Sequence, residues 1–160
     1  MKIKFLLGIV ILSCAVAAHA APNATLFGGY QYTRFDGGPN ASGWNAAFTG
    51  GFNSWIGIRA DFSAVYPNGF NFYTYTFGPE VSVPHIPMVK PFAHFLLGGA
   101  RATGGANAAN GFDVMLGGGA DIGHGIIAWR AIQFDWMHTS FNNVTDNKNV
   151  RICTGLAIRF

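Results

Sequence analysis

The sequence predicts an all-β fold: a closed, antiparallel, up-and-down barrel of eight strands that crosses a membrane, preceded by a cleavable signal peptide. Three observations predict it. Only 11% of the 160 residues are charged, against roughly 25% in soluble domains, so a water-facing exterior could hardly be covered. Beyond residue 20, charges or Gly interrupt every apolar stretch before it reaches the roughly 20 residues of a helical span. Period-2 alternation recurs instead, punctuated by clusters of Gly, Asn, Pro and Asp. Backbone crossing a bilayer must satisfy its own hydrogen bonds, and a closed barrel is the alternative to helices.

The amino-terminal segment is expected to leave before folding. Lys2 and Lys4 precede an apolar run from Phe5 to Val16, and Ala18-His19-Ala20 supplies a small-x-small cleavage pattern, together the signature of a secretory signal peptide over residues 1–20. Ile11-Leu12-Ser13-Cys14 loosely resembles a lipobox, so acylation at Cys14 is the alternative processing. Loss of Cys14 leaves Cys153 alone, with no intramolecular disulfide to form. The formal charge of +3 falls to +1 without Lys2 and Lys4, which gives no case for a nucleic-acid partner. Residues 21–160 are expected to form a single barrel domain.

Strands are expected at Ala24 to Arg34, Gly43 to Asn53, Trp55 to Tyr66, Phe70 to Pro84, Pro91 to Ala102, Gly111 to Gly123, Ile126 to Thr139 and Lys148 to Phe160. Each approximates the roughly 9–11 residues that a tilted strand needs to cross. Connections alternate between short or stiff ones (Asn53-Ser54, Pro84 to Lys90, Gly123 to Gly125) and loops such as Phe35 to Ser42 and Ala102 to Asn110. Short turns face the periplasm in such barrels, which places the loops around Asp36, Pro67, Asn107 and Asn143 outside.

Alternation then assigns faces. In the eighth strand Val150, Ile152, Thr154, Leu156, Ile158 and Phe160 share one parity, and Arg151, Cys153, Gly155, Ala157 and Arg159 the other. The third strand opposes Ile56, Ile58, Ala60 and Phe62 to Gly57, Arg59, Asp61 and Ser63, and the sixth opposes Phe112, Val114, Leu116 and Ile122 to Asp113, Met115, Gly117 and Asp121. In the second, Trp44, Ala46, Phe48 and Phe52 face out. A one-residue slip would turn these charges to lipid, at about 2–4 kcal/mol for a midplane Arg. Asp36 and Asp146 fall in outer loops, whereas Asp61, Glu80, Asp113, Asp121 and Asp135 all fall on interior parities with Arg59, Arg151 and Arg159.

An interior network of Arg59, Asp61, Glu80, His94, Asp113, Asp121, Gln133, Asp135, Arg151 and Arg159 is therefore expected, because buried ions are tolerable only when paired. An eight-stranded barrel has room for little more than its own side chains, so this network should plug it, with Gly98, Gly117, Gly119 and Gly155 making room for the Arg side chains. Arg130 fits badly: it shares parity with the lipid-facing Ile132, Phe134 and Trp136. It is expected to snorkel near the turn, unless a β-bulge rotates it inward. Aromatic girdles are expected from Trp55, Trp129 and Phe160 at one interface and Tyr32, Trp44, Tyr66 and Trp136 at the other.

Gly43-Trp44-Asn45-Ala46-Ala47, Trp55-Ile56-Gly57, Pro91-Phe92-Ala93-His94, Leu116-Gly117-Gly118-Gly119 and Ile132-Gln133-Phe134-Asp135-Trp136 carry a resemblance, over the whole of residues 21–160, to the OmpA-like and OmpX-like eight-stranded outer-membrane barrels of Gram-negative bacteria. The alternation Leu156, Ile158, Phe160 resembles the carboxy-terminal signal that the barrel assembly machinery recognises in these proteins. The resemblance implies an outer-membrane monomer, in contact with envelope lipids and lipopolysaccharide, in a structural or surface-interaction role. The peptidoglycan-binding domain of full-length OmpA proteins is not implied.

Two other functions are weighed. His138-Thr139-Ser140 has the His-x-Ser spacing of the lipid A deacylases, but the Glu that follows in those enzymes is missing, so nothing evident orients the imidazole as a base; a polar strand end is the simpler reading. A soluble lipocalin-like carrier would need the opposite polarity, apolar inside and polar outside. No enzymatic site is expected. His85, His94 and His124 are too scattered for a metal site, Gly117-Gly118-Gly119 lacks the Lys-Ser/Thr of a phosphate loop, and no cofactor is expected. Cys153 points inward by parity, as an inert small side chain.

Overall fold

The computed structural model describes residues 23–83, 86–104, 107–141 and 144–160, with side-chain surroundings for all of these except residues 107 and 144–147. The expected signal peptide, Cys14, His85 and Asn143 lie outside the described residues. Eight strands follow one another: β1 (Asn23–Arg34), β2 (Ala41–Gly51), β3 (Ile56–Val65), β4 (Asn71–Ser82), β5 (Val89–Gly104), β6 (Asn107–Ile122), β7 (Ile127–Phe141) and β8 (Val144–Arg159). Each pairs antiparallel with its neighbour, and β1 pairs with β8 to close the barrel. Closure leaves no sheet edge with unpaired backbone groups, the condition for a sheet to survive in lipid.

The strands form where side chains alternate in polarity, and the register preserves that alternation around the ring. Arg59 lies opposite Thr49 and Gly78, and Asp61 opposite Ala47 and Thr76, so polar and small residues share the interior level. Ile58, Phe62, Phe77, Leu116, Ile132, Phe134 and Leu156 are exposed, while Arg59, Asp61, Gln133, Asp135 and Arg151 have no exposed surface at all. A barrel that hides ions and displays Leu and Phe is matched to hydrocarbon rather than water.

Most strand ends fall within a residue or two of their expected positions, but the outer end differs. β5 and β6 continue to Gly104 and Asn107, which are register partners, so the expected loop from Ala102 to Asn110 is mostly ladder. β8 likewise begins at Val144, and Asp146 lies opposite Thr139 in strand rather than in a loop. Polar side chains such as Thr103 and Asn110 conceal a strand from hydropathy when it stands above the membrane, because no lipid face is then required. β5 to β8 run 16, 16, 15 and 16 residues against 12, 11, 10 and 12 for β1 to β4, so one wall is the longer.

A β-bulge in β7 settles the position of Arg130. Asp121 pairs with Arg130 but Ala120 with Ile132, which leaves Ala131 as the extra residue. Ala128 and Arg130 face in below the bulge and Gln133, Asp135 and Met137 face in above it. Arg130 is 1% exposed; its expected lipid-facing position is wrong, and the bulge is the reason. The same half-turn of the strand presents Trp129 outward, where simple alternation from Gln133 would bury it.

The connections at the other end are tight. Asn53 Oδ1 accepts the amides of Trp55 and Ile56, both at 2.8 Å, a side-chain turn typical of Asn. Gly125 adopts φ 76°, a conformation that a Cβ would strain. At the seam, Gly29 and Gly155 are register partners, and a Cβ on either would collide with the backbone of the other strand, at Thr154 and Gly28 respectively.

That seam yields a test. Gly29→Val should force β1 from β8 and lower stability by about 1–3 kcal/mol, read as a lower urea midpoint for the folded band on unheated gels, whereas Gly28→Val, whose Cβ would meet nothing within 4 Å, should leave the midpoint nearly unchanged.

Candidate functional site

Six strands direct ionisable or amide side chains into the middle of the barrel: Arg59 and Asp61 from β3, Glu80 from β4, His94 from β5, Asp121 from β6, Arg130, Gln133 and Asp135 from β7, and Arg151 from β8. The cluster is one connected network. Arg151 Nε donates to Asp135 Oδ2 at 2.7 Å and its Nη1 to Asp61 Oδ1 at 2.8 Å. Arg59 bridges Asp61 Oδ2 at 2.9 Å and Glu80 Oε2 at 3.0 Å. Arg130 holds Asp121 with two donors, at 2.7 and 3.2 Å. His94 Nε2 lies 2.7 Å from Asp135 Oδ1.

Gln133 joins these pairs. Its carbonyl oxygen accepts from Arg59 and Arg130, both at 2.9 Å, and its amide nitrogen donates to Asp135 at 2.7 Å. Asn45 Nδ2 adds a bond to Asp61 at 2.7 Å, and Thr49 Oγ1 one to Glu80 at 3.3 Å. Stacked rings supply further contact: the Arg130 guanidinium lies 4.2 Å from the Phe27 ring centroid and 4.3 Å from that of Phe92, a cation between two aromatic faces. Arg130, Asn45 and Thr49 are members that the sequence reasoning did not name. The interior parity of Asn45 and Thr49 could have found them; the bulge hid Arg130.

Two expected members stand apart. Asp113 is fully buried, yet its bond goes to Thr139 Oγ1 at 2.8 Å, and it forms no ion pair among the described residues. Its level is apolar, bounded by Val65, Phe72, Leu96, Met115 and Met137, because the Arg side chains all lie nearer the barrel middle. Arg159 reaches only the backbone oxygen of Asp121, at 3.4 Å.

The glycines bring neighbouring groups close to the strand backbone. A Cβ at Gly117 would strike the Asp135 carboxylate, and one at Gly119 would lie 2.9 Å from the Phe92 ring. At Gly98 and Gly155 it would meet neighbouring backbone, of Tyr75 and Gly28. Room is thus made for an acceptor, a ring and close strand approach, and Gly155 stands directly opposite Arg130.

Above the network, Phe35, Phe72 and Phe141 meet edge to face, with centroids 5.2 and 6.3 Å apart. Below it Phe27, Ala47, Ala128, Cys153 and Ala157 pack together. Cys153 is buried, its Sγ 3.9 Å from Gln31 Oε1. On the outer wall Trp44 Nε1 donates to the Tyr66 hydroxyl at 3.1 Å, and Trp129 Nε1 to Thr154 Oγ1 at 3.2 Å. Tyr32, Trp55 and Trp136 are also exposed, as are Leu156, Ile158 and Phe160. The His138 ring lies against Trp136, 6.3 Å between centroids, and no carboxylate bonds to it among the described residues.

No family model and no curated protein matches the chain. Solved structures do. The attachment invasion locus protein Ail of Yersinia pestis has 17% identity and a TM-score of 0.57, with 88% of this chain and 99% of that chain covered. Neisserial surface protein A has 13% identity and a TM-score of 0.60, covering 86% and 96%. The outer-membrane protein OprG from Pseudomonas aeruginosa has 13% and 0.55, covering 88% and 96%. The chain has the fold of the eight-stranded outer-membrane barrels.

The connectedness of the network can be measured. Arg130→Leu should cost about 3–5 kcal/mol, because Asp121 is left buried without its cation, and adding Asp121→Leu should recover much of that loss; a double-mutant cycle by urea unfolding in lipid vesicles reads both values.

Proposed function

We propose that this protein is a small integral outer-membrane barrel of the bacterial envelope, with a plugged interior and a structural or surface-interaction role, and that it is not an enzyme. The observation that carries this is the inside-out polarity of a closed ring: three Arg and four carboxylates buried and paired at its centre, and an apolar exterior. The likeness to eight-stranded outer-membrane barrels supports the location. Residues 1–20 act as the cleavable signal peptide for export, residues 21–160 are the barrel domain, and Leu156, Ile158 and Phe160 are offered to the barrel assembly machinery.

Among the described residues three levels fill the interior, the Phe35, Phe72 and Phe141 rings, the ion network and the Phe27 cluster, which supports a barrel closed to ions. The working surface is then the outer end, where the long β5–β6 and β7–β8 hairpins stand. Exposed Arg34, Arg101 and Lys148 lie near that end, and the pairing of Arg34 with Val150 puts Lys148 two residues away across the seam. Cations there suit the phosphates of lipopolysaccharide. Ail has been solved with the heparin analogue sucrose octasulfate, and a polyanionic surface partner is consistent with the same outer cations here. The protein acts as a monomer in this reading, and the closed ring leaves no strand edge through which a second copy could pair.

Fractionation and conductance test this reading together. The protein should sediment with outer membranes, shift mobility on heating, and show no large stable conductance in planar bilayers. Recovery from the soluble periplasm would favour a carrier, and a steady water-filled conductance would overturn the plug.

A further inference from the structure

The end of the barrel that carries Asn23 and Arg159 holds a cavity of about 300 Å³. It is built by the β2–β3, β4–β5 and β6–β7 turns and by the first residue of β1 and the last of β8, so it lies on the barrel axis and opens to the aqueous side. Its lining includes Lys90, His124 and Arg159, with Ser54 and Asn23 as neutral hydrogen-bonding groups, and no Asp or Glu.

The cations in it have no ion-pair partner of their own: Lys90 feels the Glu80 and Asp121 carboxylates at a distance, and both are engaged elsewhere. Lys90 lies opposite Asp121, and Arg159 reaches the Asp121 backbone, but the Asp121 carboxylate is already held by two donors of Arg130. Glu80 is taken by Arg59 and Thr49. Neither Lys90 nor Arg159 forms a salt bridge among the described residues, and the Nε of Arg159 is buried without a hydrogen-bond partner. Among the described residues the one interior carboxylate outside any ion pair is Asp113, eight residues along β6 from Asp121, about 26 Å of strand, too far to compensate them through a screened interior.

We propose that this axial mouth binds a compact oxyanion, a phosphate or a carboxylate group presented from the aqueous side. Arg159 offers a fork of donors and Lys90 a point charge from the opposite wall, the combination that holds such groups, while Ser54 and Asn23 are placed to complete the shell. The site lies outside the paired network, and its chemistry does not depend on the orientation or role proposed above.

The test uses the full folded barrel in detergent micelles, titrated separately with sodium phosphate and sodium acetate at constant ionic strength. Saturable shifts of the Gly123 and Gly125 amide resonances are expected with at least one of them. Lys90→Gln and Arg159→Gln should each weaken that binding by about tenfold, the loss of one charge-assisted contact, and the double variant should abolish it. Lys90→Gln leaves the carboxy-terminal strand intact, so it stays informative if Arg159→Gln folds poorly. Saturation by phosphate alone marks a phosphate site, and saturation by both a general oxyanion site. Absence of saturation by either, or equal binding by the double variant, would overturn the proposal.

Discussion

The Asp61–Arg151–Asp135 pairing at the centre of the barrel is the interaction on which the rest depends. An ion in hydrocarbon is costly, and an ion alone in a narrow interior carries several kcal/mol of desolvation. Both penalties are avoided only if the charges of β3, β7 and β8 arrive at one level with complementary geometry. The bidentate reach of Arg151 across two carboxylates therefore ties register to charge. A slip in any contributing strand would break ion pairs inside and expose charge outside.

Gln133 extends that constraint. Without its amide, the Arg130–Asp121 pair would be a separate island; with it, three guanidiniums share one hydrogen-bonded web. The bulge at Ala131 is what makes this possible, since Arg130 and Gln133 are three residues apart and could not both face inward along a regular strand. The extra residue disrupts one rung of the ladder, and what it returns is an Arg placed between Phe27 and Phe92 and bonded to Asp121. Apolar and ionic layers alternate along the interior.

The barrel is asymmetric in both directions. Along the axis, three Arg meet four carboxylates in the middle, Asp113 adds a carboxylate without an ion pair among the described residues at one level, and Lys90 and Arg159 add cations at the other mouth. Around the ring, the β5–β8 wall is the longer one, so two hairpins extend beyond the other two at that end. Both asymmetries are properties of placement, since the charged residues of the interior nearly cancel as a set.

The strand count, the face of nearly every side chain and most of the inner ion set were legible in the sequence, because hydrocarbon outside and ion pairing inside act on each residue through the same two-residue period. Strands that leave the membrane were not legible at their ends: above the lipid, Thr103 and Asn110 pay no penalty on either face, so alternation carries no signal and β5–β6 read as a loop. Arg130 was ambiguous for a related reason, since a bulge shifts the period by one without changing composition. The tertiary structure alone decided which carboxylate meets which Arg, that Gln133 joins them, and that Asp113 and Arg159 stand outside. Such pairings depend on the stagger between strands far apart in the chain, and Arg151 and Asp61, 90 positions apart, meet only because the ring closes.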